Sequence, residues 1–219
     1  VAGKKGVPYI LQEQNRFAGK TNKMLAAGAV HICVAYPGME QFFPASKVVL
    51  TGNPIRKDIR PATEQEKQEA LMHFGLDHEK KTLLITGGSL GAGTLNRCVR
   101  EYLPRSGDRP VQILWQCGKH GMSQAAEALK EHPSVPVYVH EFIARMDLAY
   151  AAADLVVSRA GAGSISEFCA AGKACIFVPS PNVAEDHQTH NAMALVKENA
   201  GRLVTDKEAP VILMERPWN

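Results

Sequence analysis

The chain has 219 residues, of which 45% are hydrophobic and 21% charged, and its formal net charge is +3. This composition is typical of a soluble globular protein and excludes a disordered chain; the sequence also lacks the run of about 18 apolar residues that a membrane-spanning helix needs. The small basic excess suits an anionic ligand or an acidic membrane surface, and it is far below that of a nucleic-acid-binding protein.

The first 60 residues predict a small unit of strands and one helix. Thr51-Gly52-Asn53-Pro54 is a turn-rich stretch, because Pro54 restricts the residue before it. A polar helix at 64–74 follows, so a domain boundary is expected near 52–60. The elements expected before it are strands at 7–11, 30–35 and 47–50 and a helix at 21–27.

After the boundary, apolar runs alternate regularly with helical patterns. Strands that are apolar throughout, separated by helices, indicate a parallel sheet covered on both faces. The predicted fold class is therefore α/β with Rossmann-like parallel sheets. The expected strands are 82–86, 112–116, 135–140, 155–158, 174–178 and 202–204, and the expected helices are one from 94 and those at 122–129, 146–153, 165–171 and 188–198.

Both ends of the chain differ from those expected of a complete protein. It begins at Val1 without Met or a signal-peptide pattern, and residues 210–219 contain two prolines and no helical period. We therefore expect a fragment that lacks an N-terminal part. Its predicted divisions are a partial domain at 1–55, a nearly complete domain at 56–209 and an atypical tail at 210–219.

The cysteine pattern predicts free thiols. There are five cysteines and no C-x-x-C motif, and their neighbours are apolar or small. Buried thiols in a reducing compartment are favoured over a zinc site or a disulfide framework.

A first candidate site is the glycine-rich segment 87–93, between a predicted strand and a predicted helix. Such a loop lies at the carboxyl edge of a parallel sheet, where glycines allow close approach of the backbone and the helix offers free N–H groups to an anion. The spacing is neither that of G-x-G-x-x-G nor that of a Walker A loop. A tight turn without a ligand is the alternative.

A second candidate is the segment 159–167, also between a strand and a helix. Its backbone N–H groups can bind a diphosphate, and Glu167 can accept hydrogen bonds from a ribose diol. Alternatively, Ser164 and Glu167 have the spacing of a helix capping box. Two glycine loops at one sheet edge favour the ligand-binding interpretation.

Two polar segments are weaker candidates. Asp186-His187-Gln188-Thr189-His190-Asn191 could contact a substrate, cap a helix or, less readily, bind a metal through its histidines. Gln12-Glu13-Gln14-Asn15 by itself indicates a loop. The sequence contains no Asp-x-Asp, so it predicts no metal clamp for a nucleotide diphosphate.

Six segments, in this order and at about these spacings, resemble the MurG family over residues 1 to about 204. They are Leu11-Gln12-Glu13-Gln14-Asn15 with Gly19-x-Thr21-Asn22-Lys23; Gly52-Asn53-Pro54-Ile55-Arg56; Gly87-Gly88-Ser89-x-Gly91-Ala92; Glu141-Phe142-Ile143; Gly161-Ala162-x-x-Ile165-Ser166-Glu167; and Asp186-x-Gln188-x-x-Asn191-Ala192.

The resemblance implies a GT-B fold and transfer of N-acetylglucosamine from UDP-N-acetylglucosamine to lipid I, giving lipid II for peptidoglycan. The reaction would invert the anomeric centre without a metal or cofactor, in a peripheral protein at the cytoplasmic face of the bacterial plasma membrane. The implied partners are UDP-N-acetylglucosamine, lipid I and an anionic membrane surface, without nucleic acid. The alternatives are a UDP-sugar 2-epimerase, a non-catalytic UDP-sugar-binding module and, less readily, a Rossmann oxidoreductase.

The resemblance also assigns binding roles by position. It implies donor contacts from Asn15 and Arg56, a diphosphate contact from Ser89 and a uracil contact from the backbone of Ile143. Gln188 would contact the sugar and Glu167 the ribose. The family's glycine-rich loop with a histidine proposed as general base has no counterpart here, so the catalytic residue is unassigned. The implied nucleotide loop consists of Ala162, Gly163, Ser164, Ile165, Ser166 and Glu167.

Overall fold

The computed structural model describes residues 2–88, 90–106 and 111–214, and within them the chain forms two parallel sheets. The smaller sheet has the order β1-β2-β3. Helix α1 (Lys20–Leu25) connects its first two strands. The strands are β1 (Leu11–Glu13), β2 (Ile32–Val34) and β3 (Val48–Leu50).

The larger sheet contains, among the described residues, six parallel strands in the order β6-β5-β4-β7-β8-β9. These strands are β4 (Lys81–Thr86), β5 (Val111–Gln116), β6 (Val137–His140), β7 (Leu155–Ser158), β8 (Cys175–Phe177) and β9 (Arg202–Leu203). The helices that accompany them are α2 (Glu64–Phe74), α3 (Gly93–Tyr102), α4 (Met122–Glu131), α5 (Met146–Ala152), α6 (Ala162–Ala170), α7 (His187–Val196) and α8 (Ala209–Ile212).

The apolar strands of the larger sheet supply two cores, one on each face. Successive side chains of a strand point to opposite faces, so Leu83 and Ile85 pack with Leu95 of α3. Leu84 packs on the other face with Phe168 of α6. Because helices cover both faces, the strands are apolar throughout rather than alternating.

The smaller sheet is buried on one face. Leu11, Ile32 and Val34 pack against residues of the intervening loops in a core of their own. On the other face, Gln12 and Val49 are exposed. The first strand was predicted at 7–11, but it begins at Leu11, because Val7 and Ile10 are exposed and Pro8 lacks a backbone N–H. Gln12 and Glu13 therefore belong to a strand, not to a loop.

Helix α8 was not predicted, since two prolines interrupt the sequence after residue 209. Pro210 is the second residue of the helix, where a missing N–H costs nothing. Thr205 Oγ1 donates to Glu208 Oε2 at 2.6 Å, and Ala209, Leu213 and Met214 are buried in the core that contains α3. Residues 210–214 thus form part of the larger unit, and 215–219 lie outside the described residues.

All five cysteines are free thiols. Cys98, Cys117 and Cys175 are buried and Cys33 is half-buried. The prediction of a buried thiol is wrong for Cys169, which is exposed in the last turn of α6. Within the described residues, no helix has both the length and the apolar character needed to cross a membrane.

Asp154 ties α2 to the larger sheet, and we predict that Asp154→Asn lowers the free energy of unfolding at neutral pH. Its carboxylate accepts from Thr82 N at 2.8 Å and Lys67 Nζ at 2.9 Å. Burial raises the pKa of Asp154, but these two donors together with Lys81 Nζ, 3.3 Å from Oδ1, outweigh it and the net pKa is lowered. The expected loss is about 1 kcal/mol, because solvent partly screens the pair.

This loss is pH-dependent. A lowered carboxyl pKa stabilises the folded state fully above the unfolded value of about 3.9, and the effect disappears as pH falls through the folded value. Urea unfolding between pH 7 and pH 3 should therefore show the difference from wild type shrinking only at the acid end. Glu79→Gln, at an exposed carboxylate, is the control, and a difference that persisted unchanged into acid would contradict the prediction.

Candidate functional site

The larger sheet contains a topological switch point between β4 and β7. The chain proceeds outward from β4 to β5 and β6 on one side, and from β7 to β8 and β9 on the other. The connections that leave the carboxyl ends of β4 and β7 therefore diverge, which opens a crevice where ligands of such sheets bind. The two predicted glycine-rich segments, 87–93 and 159–167, begin in these connections and run into the helices that follow them.

The first glycine loop packs backbone to backbone against the loop after β5. Gly91 has a φ of +81°, and a Cβ on it would lie 2.1 Å from the carbonyl oxygen of Cys117. Asn96 Nδ2 donates to the same oxygen at 2.8 Å, and Gln116 Nε2 donates to Gly88 O at 3.0 Å. These contacts fix the loop, and the predicted diphosphate contact Ser89 lies outside the described residues.

Helices α3 and α6 begin directly after the two glycine loops. Their N-cap residues are Ala92 and Gly161, and neither makes a side-chain cap hydrogen bond. The N–H groups of both first turns, with the positive ends of both helix dipoles, are therefore directed toward the crevice. This arrangement can bind a diphosphate.

The capping box proposed as the alternative for the second loop does not form. Helix α6 begins at Ala162, three residues before the predicted start at 165, so Ser164 lies inside its first turn. Glu167 bonds instead to Tyr150, whose hydroxyl donates to Glu167 Oε2 at 2.7 Å. The sequence did not predict the start of α6 at Ala162, because Ala162 and Gly163 together give no clear helix-start signal.

Arg56 and Glu167, both predicted as site residues, lie together. Arg56 Nε is 3.7 Å from Glu167 Oε1, and Arg56 NH1 donates to Ala144 O at 3.5 Å. Arg56 thus reaches from the linker after β3 to the loop after β6. Ile143 precedes Ala144, and its side chain is buried in the core, which leaves only its backbone for a ligand contact.

Gln188 connects the loops that follow β7 and β8. Its Oε1 accepts from Ala160 N at 3.3 Å and from Ser180 N at 2.8 Å. The amide nitrogen makes no hydrogen bond among the described residues, so it can donate to a ligand hydroxyl.

Asn191, which is 1% exposed, joins the two units through one amide. Its Nδ2 donates to Asn15 Oδ1 at 3.0 Å and to Ala160 O at 3.4 Å, while its Oδ1 accepts from Arg16 N at 2.8 Å. Asn15 is thereby placed beside the second glycine loop. Asn191 was part of the resembling motif but was not predicted as a site residue.

Asn53 makes a second connection between the units and was also missed. Its Nδ2 donates to Gln14 O at 3.0 Å and to Ser166 Oγ at 3.1 Å. Its Oδ1 is buried without a hydrogen-bond partner in the described part of the chain. The Gly-Asn-Pro sequence indicated only a turn, because its partners are distant in sequence.

Glu13 shapes the loop that carries Asn15. This carboxylate is 3% exposed and accepts from Asn15 N at 3.0 Å, Gly19 N at 3.0 Å and Asn22 Nδ2 at 2.8 Å. The loop borders a cavity of about 590 Å³ between the two units, which His187 also lines.

The two histidines considered as metal ligands make different contacts. His187 Nε2 is 3.5 Å from Glu185 Oε2, whereas His190 stacks on Phe17 with ring centroids 5.0 Å apart. The described residues contain no group of three or more His, Cys, Asp or Glu side chains that could hold a metal ion.

A larger cavity, of about 960 Å³, lies away from the glycine loops. Its lining includes Leu155 and Cys175, the first residues of β7 and β8. These residues lie at the amino edge of the sheet, whereas the N-termini of α3 and α6 follow the carboxyl ends of β4 and β7, so the crevice at the carboxyl edge is the better candidate for an anionic ligand.

Comparison with known families and relatives gives a consistent result. A family described as "Glycosyltransferase family 28 C-terminal domain" matches residues 82–216. A relative from Parabacteroides distasonis is 55% identical over 95% of the chain and 56% of its own length; it is named UDP-N-acetylglucosamine–N-acetylmuramyl-(pentapeptide) pyrophosphoryl-undecaprenol N-acetylglucosamine transferase. A relative of the same name from Bacteroides thetaiotaomicron is 52% identical over 100% of the chain and 59% of its own length.

Solved structures agree with these relatives. The MurG crystal structure from Acinetobacter baumannii has a TM-score of 0.75 and 29% identity, covering 100% of the chain and 60% of that protein. A UDP-glucose:anthocyanidin 3-O-glucosyltransferase in complex with UDP has a TM-score of 0.65 at 14% identity, over 93% of the chain and 59% of that protein, and shows the fold alone. The predicted GT-B fold and the predicted resemblance are confirmed, and the chain spans about half the length of the curated relatives it matches.

We predict that Gly91→Ala destabilises the chain by about 2–4 kcal/mol, because it combines a left-handed backbone with a backbone clash. Gly93→Ala is the matched control, since a Cβ there would meet nothing within 4 Å and Gly93 is the first residue of α3. Urea unfolding of both variants is the measurement. Equal stability of the two would show that the packing between the loops does not constrain Gly91.

Proposed function

The chain belongs to glycosyltransferase family 28, and from this membership we propose that it forms the donor-binding side of an inverting N-acetylglucosaminyltransferase. The proposed donor is UDP-N-acetylglucosamine. The observation that carries the proposal is the pair of helix N-termini without side-chain caps at the switch point between β4 and β7. Two dipole ends at one crevice match the charge of a nucleoside diphosphate.

The same feature supports the proposed chemistry. An acceptor hydroxyl attacks the anomeric carbon and gives up its proton to a base, the bond to the diphosphate breaks with inversion, and UDP leaves carrying the negative charge. Preorganised N–H groups and dipoles lower the energy of such a leaving group most in the transition state, where the charge develops. We therefore propose a reaction that needs neither a metal nor a cofactor.

We propose the following ligand contacts for the predicted site residues. Residues 162–166 and Ser89 contact the diphosphate, and Glu167, held beside Arg56, accepts the ribose hydroxyls. The backbone at Ile143 contacts the uracil. Gln188, which bonds the second glycine loop at Ala160, contacts the sugar. Asn15, which Asn191 holds beside the same loop, contacts the sugar as well. We assign no catalytic base.

For the whole protein we propose transfer to lipid I, giving lipid II for peptidoglycan, at the cytoplasmic face of the bacterial plasma membrane. Peripheral attachment to anionic lipid is consistent with the net charge of +3. We further propose that residues 56–209 form the donor domain and 1–55 part of the acceptor domain. The relatives extend beyond the matched part, and we propose that transfer also needs the segments they contain there.

Calorimetric titration with UDP-N-acetylglucosamine in EDTA tests the donor site. We predict binding by the wild-type chain and at least a tenfold loss with Glu167→Ala, because hydrogen bonds to a charged group contribute about 1.5–3 kcal/mol. Glu127→Ala, at an exposed carboxylate of α4, is the control. A folded wild-type sample that does not bind would contradict the proposal.

Transfer itself is tested by joining the chain to the N-terminal part of the Parabacteroides relative. We predict that the joined protein moves N-acetylglucosamine from the UDP donor to lipid I, whereas the chain alone does not. Continued inactivity of a folded joined protein would favour a non-catalytic binding module. Release of free 2-epimerised sugar would favour the epimerase alternative.

A further inference from the structure

We propose that Tyr150 is a positioning residue that orients Glu167 toward the ribose and thereby sets the preference for a ribonucleotide. This inference rests on the proposed function, because it takes Glu167 as the ribose contact. Tyr150 does not itself touch the ligand; it acts through the carboxylate to which its hydroxyl donates.

The position of the Tyr150 hydroxyl is determined by the core. Tyr150 lies in α5, is 3% exposed and packs edge-to-face on Phe168 with ring centroids 5.5 Å apart. Its side chain has only two rotatable bonds between backbone and ring, and burial in the core restricts both. The hydroxyl is therefore a fixed donor, 2.7 Å from Glu167 Oε2.

Glu167 needs such a fixed donor. Its side chain is 21% exposed, and a glutamate at a helix surface otherwise samples several rotamers. Tyr150 takes one acceptor position on Oε2, and Arg56 Nε lies 3.7 Å from Oε1. A carboxylate has about four acceptor positions, so enough remain for both hydroxyls of a vicinal diol.

The phenol keeps its proton under ordinary conditions. Burial raises the pKa of Tyr150, and the hydrogen bond to Glu167 raises it further. Tyr150 consequently remains a donor at neutral pH. Because the carboxylate is already ordered before a ligand arrives, the diol does not have to order it, which favours binding.

The test compares UDP with 2′,3′-dideoxy-UDP, which lacks both ribose hydroxyls, by calorimetry on the 219-residue chain. Tyr150→Phe keeps the ring and its contact with Phe168 and removes only the hydroxyl. We expect it to weaken UDP binding about tenfold, as for the loss of one hydrogen bond to a charged group, and to change dideoxy-UDP binding less than twofold. Tyr138→Phe is the matched control, because Tyr138 packs against the same core and does not bond Glu167.

A second variant shows whether Tyr150 acts through Glu167. In a Glu167→Ala background, which removes the acceptor of the Tyr150 hydroxyl, Tyr150→Phe should change UDP binding less than twofold, and a full tenfold effect there would overturn the inference. Equal loss of both ligands in Tyr150→Phe would also overturn it, since that outcome indicates general damage. If Tyr150→Phe unfolds, Tyr150→Met, which also removes the hydroxyl and keeps an apolar side chain in the core, takes its place: a selective loss of UDP binding supports the inference, and unchanged or equally reduced binding of both ligands overturns it.

The outcomes separate the inference from the proposed function. A folded wild-type chain that binds neither ligand contradicts the proposed function itself. A wild-type chain that binds UDP but discriminates no better than Tyr150→Phe leaves the donor site in place and overturns only the role of Tyr150.

Discussion

The divergence of the chain at β4 and β7 is the constraint on which the site depends. Both strands are parallel neighbours, and their connections must leave in opposite directions because the next strands are added on opposite sides. This places two helix N-termini at one crevice without any contribution from side chains. The proposed binding of an anion therefore follows from the topology of the sheet, and the side chains around the crevice would select which anionic molecule fits.

The site also requires that the smaller and the larger unit keep a fixed relative position across the crevice. Asn191 and Asn53 meet this requirement with short amides that bond backbone and side chains of both units. Amides suit this position because each offers donors and acceptors without a charge, so burying them costs less than burying an ion pair. Glu13 extends the same network by holding the loop that carries Asn15.

Local patterns in the sequence predicted much of this architecture. The helix expected at 64–74 has the same bounds as α2, and both glycine loops fall at the predicted sheet edge. These features depend on the hydrophobic period, the turn residues and the order of the elements, all of which residues close together in the sequence determine. The contacts of Asn191 with Arg16 and of Asn53 with Ser166 span 175 and 113 residues. No periodic pattern in the sequence predicts contacts between residues so far apart. The hydrogen bond of the Tyr150 hydroxyl could not be predicted either, because the sequence around Tyr150 indicates only a core residue.

The packing of the first glycine loop against the loop after β5 has a consequence for how the site can change. Main-chain atoms make that contact, and a Cβ at Gly91 or Gly118 would lie within 2.1–2.3 Å of backbone atoms of the opposite loop. Substitutions there are strongly restricted by main-chain packing, whereas Arg56 and Gln188 make the contacts described above with their side chains. Under the proposed function, the loop assigned to the phosphates is therefore far more constrained in sequence than the side chains assigned to the sugar.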